Sequence, residues 1–239
     1  MSFRIRLIQF LLQLNDRVFL YPKLAAYYKT EITDQEQVII DVGANRGQTI
    51  SFFLNVFPKA VIYAFEPNKK VFEIAVNRFK QFPSIKLYNK GISNKNGKHV
   101  FYESILSETS TLEELNINSN YLSAKAKILG VKPTGVIARN YEIDVITINS
   151  FLAGVQQTKI HILKIDTEGH EYKCLQGVFS NYKISIDYIQ LEYHHDDMYL
   201  NKTDYNNIQG ILKQHNFVLH KRIKHRFGEI EELLFKRIN

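Results

Sequence analysis

Residues 38–47 constrain the fold most strongly, because an apolar run there ends in Asp41 and is followed by two glycines. Buried parallel strands are near-continuous apolar runs, and a glycine turn at the strand end lets the backbone approach a ligand closely. A second apolar run, residues 61–65, ends in Glu66, 25 positions after Asp41. In a βαβ unit such a carboxylate can accept hydrogen bonds from ribose hydroxyls. Together the two runs predict a cofactor that contains adenosine.

The glycine turn differs from the dinucleotide-binding fingerprint. Gly43 and Gly47 are separated by three residues, whereas a pyrophosphate site needs Gly-x-Gly-x-x-Gly, and Asn45 stands where the second glycine would be. Asp41 disfavours a pyrophosphate by its charge, but it can accept a hydrogen bond from an ammonium group. The turn therefore favours S-adenosylmethionine over NAD. An NAD-dependent oxidoreductase and an ordinary strand-to-helix turn are the alternatives.

Three motifs resemble those of the FkbM family of methyltransferases. They are Asp-Val-Gly-Ala-Asn-Arg-Gly at 41–47, Phe-Glu-Pro-Asn at 65–68 and Leu-Lys-Ile-Asp-Thr-Glu-Gly-His-Glu at 163–171. The resemblance covers about residues 37–195, and the third motif is its most specific part. It implies a class I, S-adenosylmethionine-dependent fold and methyl transfer to oxygen, often to a hydroxyl of a sugar or a natural product.

The resemblance also implies how the cofactor is held. It places Asp41 and Gly43 at the methionine end and Glu66 at the ribose. From their positions after the first and third strands, Asn45 and Thr49 are expected to reach the carboxylate, and Ile92 to contact the adenine. The predicted cofactor-binding residues are Asp41, Gly43, Asn45, Gly47, Thr49, Glu66, Ile92 and Asp166.

Alternating strand and helix patterns from residue 37 onward predict a Rossmann-like α/β fold. We expect a mostly parallel seven-stranded sheet with helices on both faces and an antiparallel last strand. Strands are predicted at 37–42, 60–65, 85–89, 159–165 and 184–193, helices at 46–57 and 203–214, and a final hairpin at 216–222 and 229–236. Residues 91–158 are too long for a simple crossover, so they are predicted to form an inserted lid over the substrate, with a hairpin between 98–103 and 141–148.

Length and cysteine content narrow the class of protein. The 239 residues, 45% of them hydrophobic, can bury one sizeable core, which we assign to a methyltransferase domain at 37–239. The preceding segment, 1–36, is predicted to be helical and amphipathic, with Phe3, Leu7 and Phe10 on one stripe. The single Cys174 excludes an intrachain disulfide, which fits a cytoplasmic protein. The chain shows no transmembrane run and no convincing signal peptide.

The net charge of +7 points to an acidic partner, and basic residues concentrate at both ends of the chain. Residues 221–226 are strongly basic, but they lack the interleaved aromatic residues of an RNA-binding module. A nucleic-acid partner is therefore not favoured. A peripheral membrane contact through the N-terminal helix and a homodimer remain open alternatives.

The catalytic centre is predicted where the fourth and fifth core strands end. Carboxylates and histidines follow both strands, and parallel strand ends meet at one crevice. An acceptor hydroxyl needs a group that removes its proton during methyl transfer. The predicted catalytic residues are Asp166, Glu192 and His194, with His194 a candidate base, and the predicted substrate-binding residues are Glu168, His170 and His195. A divalent metal is not favoured, since no tight ligand motif occurs.

The sequence thus predicts an S-adenosylmethionine-dependent O-methyltransferase that acts on a hydroxylated small molecule or glycan. The alternative in a different class is a non-catalytic or nucleic-acid-directed binding protein with a Rossmann-like core, to which the basic ends would contribute.

Overall fold

A computed structural model describes residues 3–34, 36–180, 184–201 and 203–238. The strands within these ranges are β1 (Val38–Val42), β2 (Val61–Phe65), β3 (Ile85–Tyr88), β4 (Gly91–Ile92), β5 (Gly97–Ser104), β6 (Ile137–Ile146), β7 (Lys159–Ile165), β8 (Ser185–His194), β9 (Phe217–Lys224) and β10 (Ile230–Arg237). The helices are α1 (Phe3–Asn15), α2 (Tyr21–Glu31), α3 (Gln48–Val56), α4 (Lys69–Phe79), α5 (Asn120–Leu129), α6 (Ile148–Val155), α7 (Glu171–Phe179) and α8 (Tyr205–Gln214).

The main sheet has seven strands in the order β3-β2-β1-β7-β8-β10-β9. Strands β3, β2, β1, β7 and β8 are parallel, and β10 is antiparallel to both of its neighbours. Asp41 lies beside Ala64 on one side and Lys164 on the other, so the ends of β1, β2 and β7 lie at one edge. The predicted Rossmann-like fold with an antiparallel last strand is confirmed.

Helices cover both faces of this sheet, as predicted. Helices α6, α7 and α8 pack on one face through side chains such as Leu152, Leu175 and Leu212. Helices α2, α3 and α4 pack on the other face through a second buried cluster that includes Tyr28 and Phe53. Apolar faces on both sides explain why the central strands are near-continuous apolar runs.

Residues 91–158 form added structure over the edge where β1, β2 and β7 end. Strands β5 and β6 pair antiparallel, with Lys98 opposite Asp144, and the short β4 pairs with the other side of β6. The predicted hairpin is therefore present. Its second strand ends at Ile146, before the end predicted at residue 148. The reason is that helix α6 begins there, capped by the Thr147 hydroxyl, which accepts a hydrogen bond from the Ser150 amide. The apolar pattern did not indicate this helix.

The N-terminal segment packs against the domain. The hydroxyl of Tyr28 on α2 donates to Oε1 of Gln190 on β8 at 2.6 Å, and both side chains are buried. Helix α1 rests on the insertion, where Ile5 joins a cluster with Leu122 and Leu129. Helices within the described ranges are either too short or too polar to cross a membrane.

Candidate active site

A cavity of about 190 Å³ lies between the strand ends of the main sheet, the insertion and the N-terminal segment. Eight of the residues that the sequence assigns to the site line it. They are Gly43, Asn45, Thr49, Glu66, Ile92, Asp166, Glu168 and Glu192. The structure therefore brings together residues from five separate segments of the chain, as expected if parallel strand ends build the site.

The turn after β1 requires glycine at two positions. Gly43 has φ of +83°, and a Cβ there would overlap the carbonyl oxygen of Asp166 on the neighbouring strand. Gly47 has φ of +80°, and a Cβ there would overlap the ring of Phe79. Gly47 also precedes α3 without a side-chain cap, so the first turn of α3, with Gln48 and Thr49 at the cavity, offers backbone amides to an anionic group.

Glu66 is held by the backbone on both sides. Its Oε2 accepts from the Asn45 amide at 2.9 Å, and its Oε1 accepts from the Asn68 amide at 2.7 Å. Burial raises the pKa of Glu66 to about 7. Each carboxylate oxygen has a second lone pair, so the fixed carboxylate can also accept from hydroxyl groups in the cavity.

Lys164 links two carboxylates at the ends of β1 and β7. Its Nζ lies 2.9 Å from Oδ2 of Asp166 and 3.6 Å from Oδ1 of Asp41. Asp41 is fully buried and does not line the cavity, and burial raises its pKa to about 6. Asp41 was expected to touch the cofactor, but its place in the structure is behind the turn, paired with Lys164.

Asp166 and Glu192 form a carboxyl pair at the cavity floor, where they share a hydrogen bond. Burial, and then the charge of Asp166, raise the pKa of Glu192 to about 8. Burial is the largest influence on Asp166 and would raise its pKa, but the Lys164 ammonium, the hydrogen bond with Glu192 and the charge of His194 together outweigh it and hold the pKa of Asp166 below its ordinary value. The two environments thus push the pKa values of neighbouring acids apart, an arrangement typical of acid–base sites.

His194 lies behind this pair and does not line the cavity. Its Nε2 is 3.2 Å from Oε2 of Glu192 and 3.6 Å from Oε2 of Glu168, and its Nδ1 is 3.3 Å from Oδ2 of Asp196. Burial lowers the pKa of His194, but the surrounding carboxylates prevail and raise it well above its ordinary value. The ring is therefore a cation at neutral pH, which suits it to orient Glu192 and makes it a poor base.

The other two predicted histidines lie away from the cavity. His170 is buried, with Nε2 2.9 Å from the Ser93 hydroxyl and Nδ1 2.6 Å from Oε1 of Glu113. His195 is half exposed and contacts Oε1 of Glu231 at 2.8 Å. Successive residues of a strand point to opposite faces, which separates His195 from its neighbour His194. The geometry thus gives neither His170 nor His195 the substrate contact that was expected.

The positions of the strand ends in the sequence did not predict that the N-terminal segment contributes to the cavity. Gln13, Asp16 and Tyr21 line the cavity, and the Nε2 atoms of Gln9 and Gln13 donate to the Glu108 carboxylate of the insertion. In the sequence these two glutamines interrupt an otherwise apolar helix, and this interruption could have indicated that the helix contributes polar contacts to the site. They join the segment to the insertion at the cavity wall.

Two sets of three side chains beneath the cavity are close enough to bind a divalent cation. Candidate ligand atoms of Glu168, Glu192 and His194 lie within 4.8 Å of one another, and so do those of Glu192, His225 and Glu232. Within the first set, His194 pairs with both carboxyls.

Sheet order, antiparallel last strand and an acidic residue after the second strand define a class I methyltransferase fold. Fibrillarin from Methanococcus jannaschii, a pre-rRNA processing protein, aligns with a TM-score of 0.50 at 10% identity over 85% of this chain and 67% of its own. Magnesium protoporphyrin IX methyltransferase from Synechocystis PCC 6803, solved with bound S-adenosylmethionine, aligns with a TM-score of 0.50 at 10% identity over 92% of this chain and 78% of its own. A search of curated proteins finds no match.

The family of the chain follows from its sequence. The Methyltransferase FkbM domain matches residues 41–219, about three quarters of the chain. The protein therefore belongs to the FkbM methyltransferase family, an assignment that confirms the resemblance of the three motifs. It is an S-adenosylmethionine-dependent methyltransferase.

The cavity residues fit S-adenosylmethionine chemically. Glu66 offers a fixed acceptor for the ribose hydroxyls, and the uncapped first turn of α3 suits the methionine carboxylate. Ile92 and Phe101 offer buried apolar surface that would suit the adenine, and Asp166 offers a negative charge that would suit a cationic group. The residues that line the cavity would thus offer acceptors, free backbone amides and apolar surface of the kinds that this cofactor needs, and the role of each residue stays a prediction.

Proposed function

We propose that this protein transfers a methyl group from S-adenosylmethionine to a hydroxyl oxygen of a sugar, a glycan or a small natural product. The observation that carries the proposal is the Asp166–Glu192 pair, because it places a carboxyl with a pKa of about 8 at the floor of the cofactor cavity. When the methyl group is transferred to an alcohol, a nearby base must take the proton of the hydroxyl, whereas many other nucleophiles need no such base.

Three side chains of this protein have separate roles in the proposed reaction. S-adenosylmethionine, when bound, supplies an electrophilic methyl group. In its ionised form Glu192 accepts the proton of the acceptor hydroxyl as the new carbon–oxygen bond forms. Asp166, kept ionised by Lys164, favours cationic charge in the cavity, and His194 fixes the orientation of Glu192 from behind. We therefore assign catalysis to Glu192 and Asp166, and a positioning role to His194.

The charge of the cavity supports a neutral hydroxylated acceptor. Among the described residues that line it, six carry carboxyl groups and one is a lysine. A polyanion such as RNA would meet like charges there, at a cost that grows in a partly buried site. This makes the nucleic-acid-directed alternative less consistent with the site, despite the net charge of +7. The carboxyl groups are Asp16, Glu66, Glu108, Asp166, Glu168 and Glu192, and the lysine is Lys90.

The insertion supports a role as the substrate lid. Ser107, Ser110 and Thr111 line the cavity from the insertion side, and the Thr111 hydroxyl donates to the Glu168 backbone carbonyl at 2.6 Å. These hydroxyls can recognise polar groups of an acceptor. The hydrogen bond of Thr111 ties the lid to the loop that carries Asp166 and Glu168, so acceptor binding and the catalytic loop are mechanically connected.

Two measurements test the proposal. Calorimetric titration with S-adenosylmethionine, its demethylated product and NAD should give binding of the first two only. A screen of hydroxylated acceptors with labelled methyl groups should then give a product whose label resides on oxygen. Binding of NAD alone would refute the assignment of S-adenosylmethionine as the cofactor. A label on nitrogen or carbon would refute methyl transfer to oxygen.

Variants separate the roles of the residues. Asp166→Asn should lower turnover more than cofactor affinity, and His194→Ala should do so less severely, because it acts through Glu192. Full activity in Asp166→Asn would remove that carboxylate from the mechanism. A profile of turnover against pH in His194→Ala that is identical to wild type would remove the positioning role.

A further inference from the structure

Helix α1 has an apolar face that no part of the described chain covers. Its buried side, with Ile5 and Gln9, rests on the insertion. The opposite side exposes a row of large apolar side chains, which we name the N-terminal stripe. The stripe consists of Phe3, Leu7, Phe10, Leu11, Leu14 and Val18, whose exposed fractions range from 44% to 82%.

The stripe is continuous. At 100° per residue, its five positions on α1 fall within an arc of about 100°, the width of an interaction face, and Val18 follows in the π-helical turn Asp16–Leu20. With Phe19, residues 3–19 hold seven of the 17 exposed large apolar side chains in the described part of the chain. Scattered apolar residues are normal on protein surfaces, but a concentration of this kind marks an interaction site.

Cationic residues border the stripe. Arg4 lies at one edge of the helix and Arg6 and Arg17 at the other, all three are exposed, and residues 3–15 contain no acidic side chain. Arginines beside an apolar helix face can extend to lipid headgroups while their stems lie on the apolar surface.

The basic C-terminal run adjoins the same surface. The guanidinium of Arg226, in the turn between β9 and β10, lies 3.9 Å from the ring centroid of Phe19. The next residue, Phe227, is 61% exposed. The fold thus unites the two basic ends of the sequence, and each contributes aromatic and cationic side chains to one surface.

We propose that the N-terminal stripe and the adjoining turn bind the anionic surface of a lipid bilayer, with α1 lying in the plane of the interface. Charge selects this occupant over a second copy of the chain. A two-fold symmetric pair would place the arginines of one helix near those of the other, and α1 has no carboxylate to compensate them. Anionic headgroups complement the arginines, and acyl chains complement the stripe.

The bound orientation would bring the reaction site to the membrane surface. Phe10 and Leu14 of the stripe also line a second cavity of about 610 Å³, which shares Gln13, Tyr21 and Gln48 with the cofactor cavity. An acceptor with a hydroxylated head and an apolar tail would reach the site from the bilayer. This last step rests on the proposed methyl transfer, whereas membrane binding does not.

Vesicle sedimentation tests membrane binding directly. The full chain should bind vesicles of phosphatidylcholine mixed with phosphatidylglycerol, and should bind pure phosphatidylcholine at least about tenfold more weakly. Leu7→Ser with Leu11→Ser should weaken binding to the mixed vesicles at least about tenfold, because two leucines leave the apolar phase. Ile74→Ser with Val76→Ser on α4 is the matched control, since these side chains are similarly exposed but lie outside the stripe. The control should bind as wild type does.

Charge variants keep the proposal testable if the leucine variant fails to fold. Arg6→Gln and Arg17→Gln should each lower affinity for the mixed vesicles about fivefold and leave binding to pure phosphatidylcholine unchanged. Equal binding of wild type to both kinds of vesicle, or no binding, would overturn the proposal. So would a dimer in sedimentation velocity that Leu7→Ser with Leu11→Ser converts to a monomer.

Titration with S-adenosylmethionine keeps the two proposals apart. Leu7→Ser with Leu11→Ser should bind the cofactor as wild type does, since neither leucine lines the cofactor cavity. If a protein preparation binds the cofactor but not the vesicles, only the proposal of a membrane-binding surface is refuted. Vesicle binding without cofactor binding would overturn only the proposed catalytic function.

Discussion

Replacing Glu66 by glutamine should stabilise the free protein at pH 8 and weaken its affinity for S-adenosylmethionine. Burial raises the pKa of this carboxyl from 4.5 to about 7, and at 1.36 kcal/mol per pH unit the ionised form costs about 3 kcal/mol of folding free energy. Glutamine removes the charge, but it leaves one of the amides of Asn45 and Asn68 without its acceptor, which costs about 1 kcal/mol. The net gain in the free energy of unfolding is therefore about 2 kcal/mol at pH 8.

The direction of the pH dependence follows from the raised pKa. Below pH 4.5 the carboxyl is protonated in both the folded and the unfolded chain, so its charge costs nothing. Between pH 4.5 and about 7 the unfolded chain is ionised while the folded chain stays protonated, so the stability of wild type falls as pH rises. Above that window the penalty is constant. Glu66→Gln lacks this component at every pH.

Urea unfolding at pH 5 and pH 8, without cofactor, measures the effect. Glu73→Gln on the exposed side of α4 is the control, and its effect on stability should be small, because the side chain is exposed. In calorimetry, loss of an acceptor for the ribose hydroxyls should weaken cofactor binding by about 1–3 kcal/mol. A stability difference between Glu66→Gln and wild type that is the same at pH 5 and pH 8 would refute the burial argument. Unchanged cofactor affinity would remove Glu66 from the site.

Three further substitutions test the site. Glu192→Gln should lower turnover at least about 100-fold and abolish the rise in turnover through pH 8 that an ionising base produces, as steady-state kinetics across pH would show. Lys164→Met leaves Asp41 and Asp166 without their shared cation and should lower the free energy of unfolding by about 3–5 kcal/mol in urea titration; a loss below 1 kcal/mol would contradict the ion-pair argument. Gly43→Ala should prevent stable folding, as circular dichroism would report, whereas Gly154→Ala, where a Cβ meets open space, should fold normally.

The sequence predicted those parts of the site that follow strand ends. Asp166 and Glu192 could be placed at one crevice because apolar runs identify β7 and β8, and parallel strands end at the same edge. The same reasoning placed Glu66 in the site, at the end of β2. The position of the insertion was predictable from the length between strands, and part of its hairpin from β-propensity.

Other features depend on tertiary contacts that a local pattern does not carry. Asp41 lies near the end of β1 and Thr49 follows that strand, yet only Thr49 reaches the cavity, because Lys164 on the neighbouring strand holds Asp41 inside the sheet. His170 follows Asp166 by four residues, but the insertion supplies Glu113 and Ser93 supplies a hydroxyl, and these draw the ring into the core. Gln13 reaches the cavity through a helix that precedes the first strand.

The contact between Tyr28 and Gln190 has a consequence for the order of events during synthesis. Helix α2 leaves the ribosome early, but its hydrogen-bonding partner follows 162 residues later, and Gln190 is itself fixed by Glu232 on the last strand. Contacts between positions so far apart close late and slow down folding. Helix α2 can pack on α3 early, as Tyr28 does against Phe53, but its buried hydrogen bond to Gln190 cannot form until nearly the whole chain has emerged. The N-terminal helices therefore lack part of their final contacts until then. During that interval a chaperone has its longest opportunity to bind them.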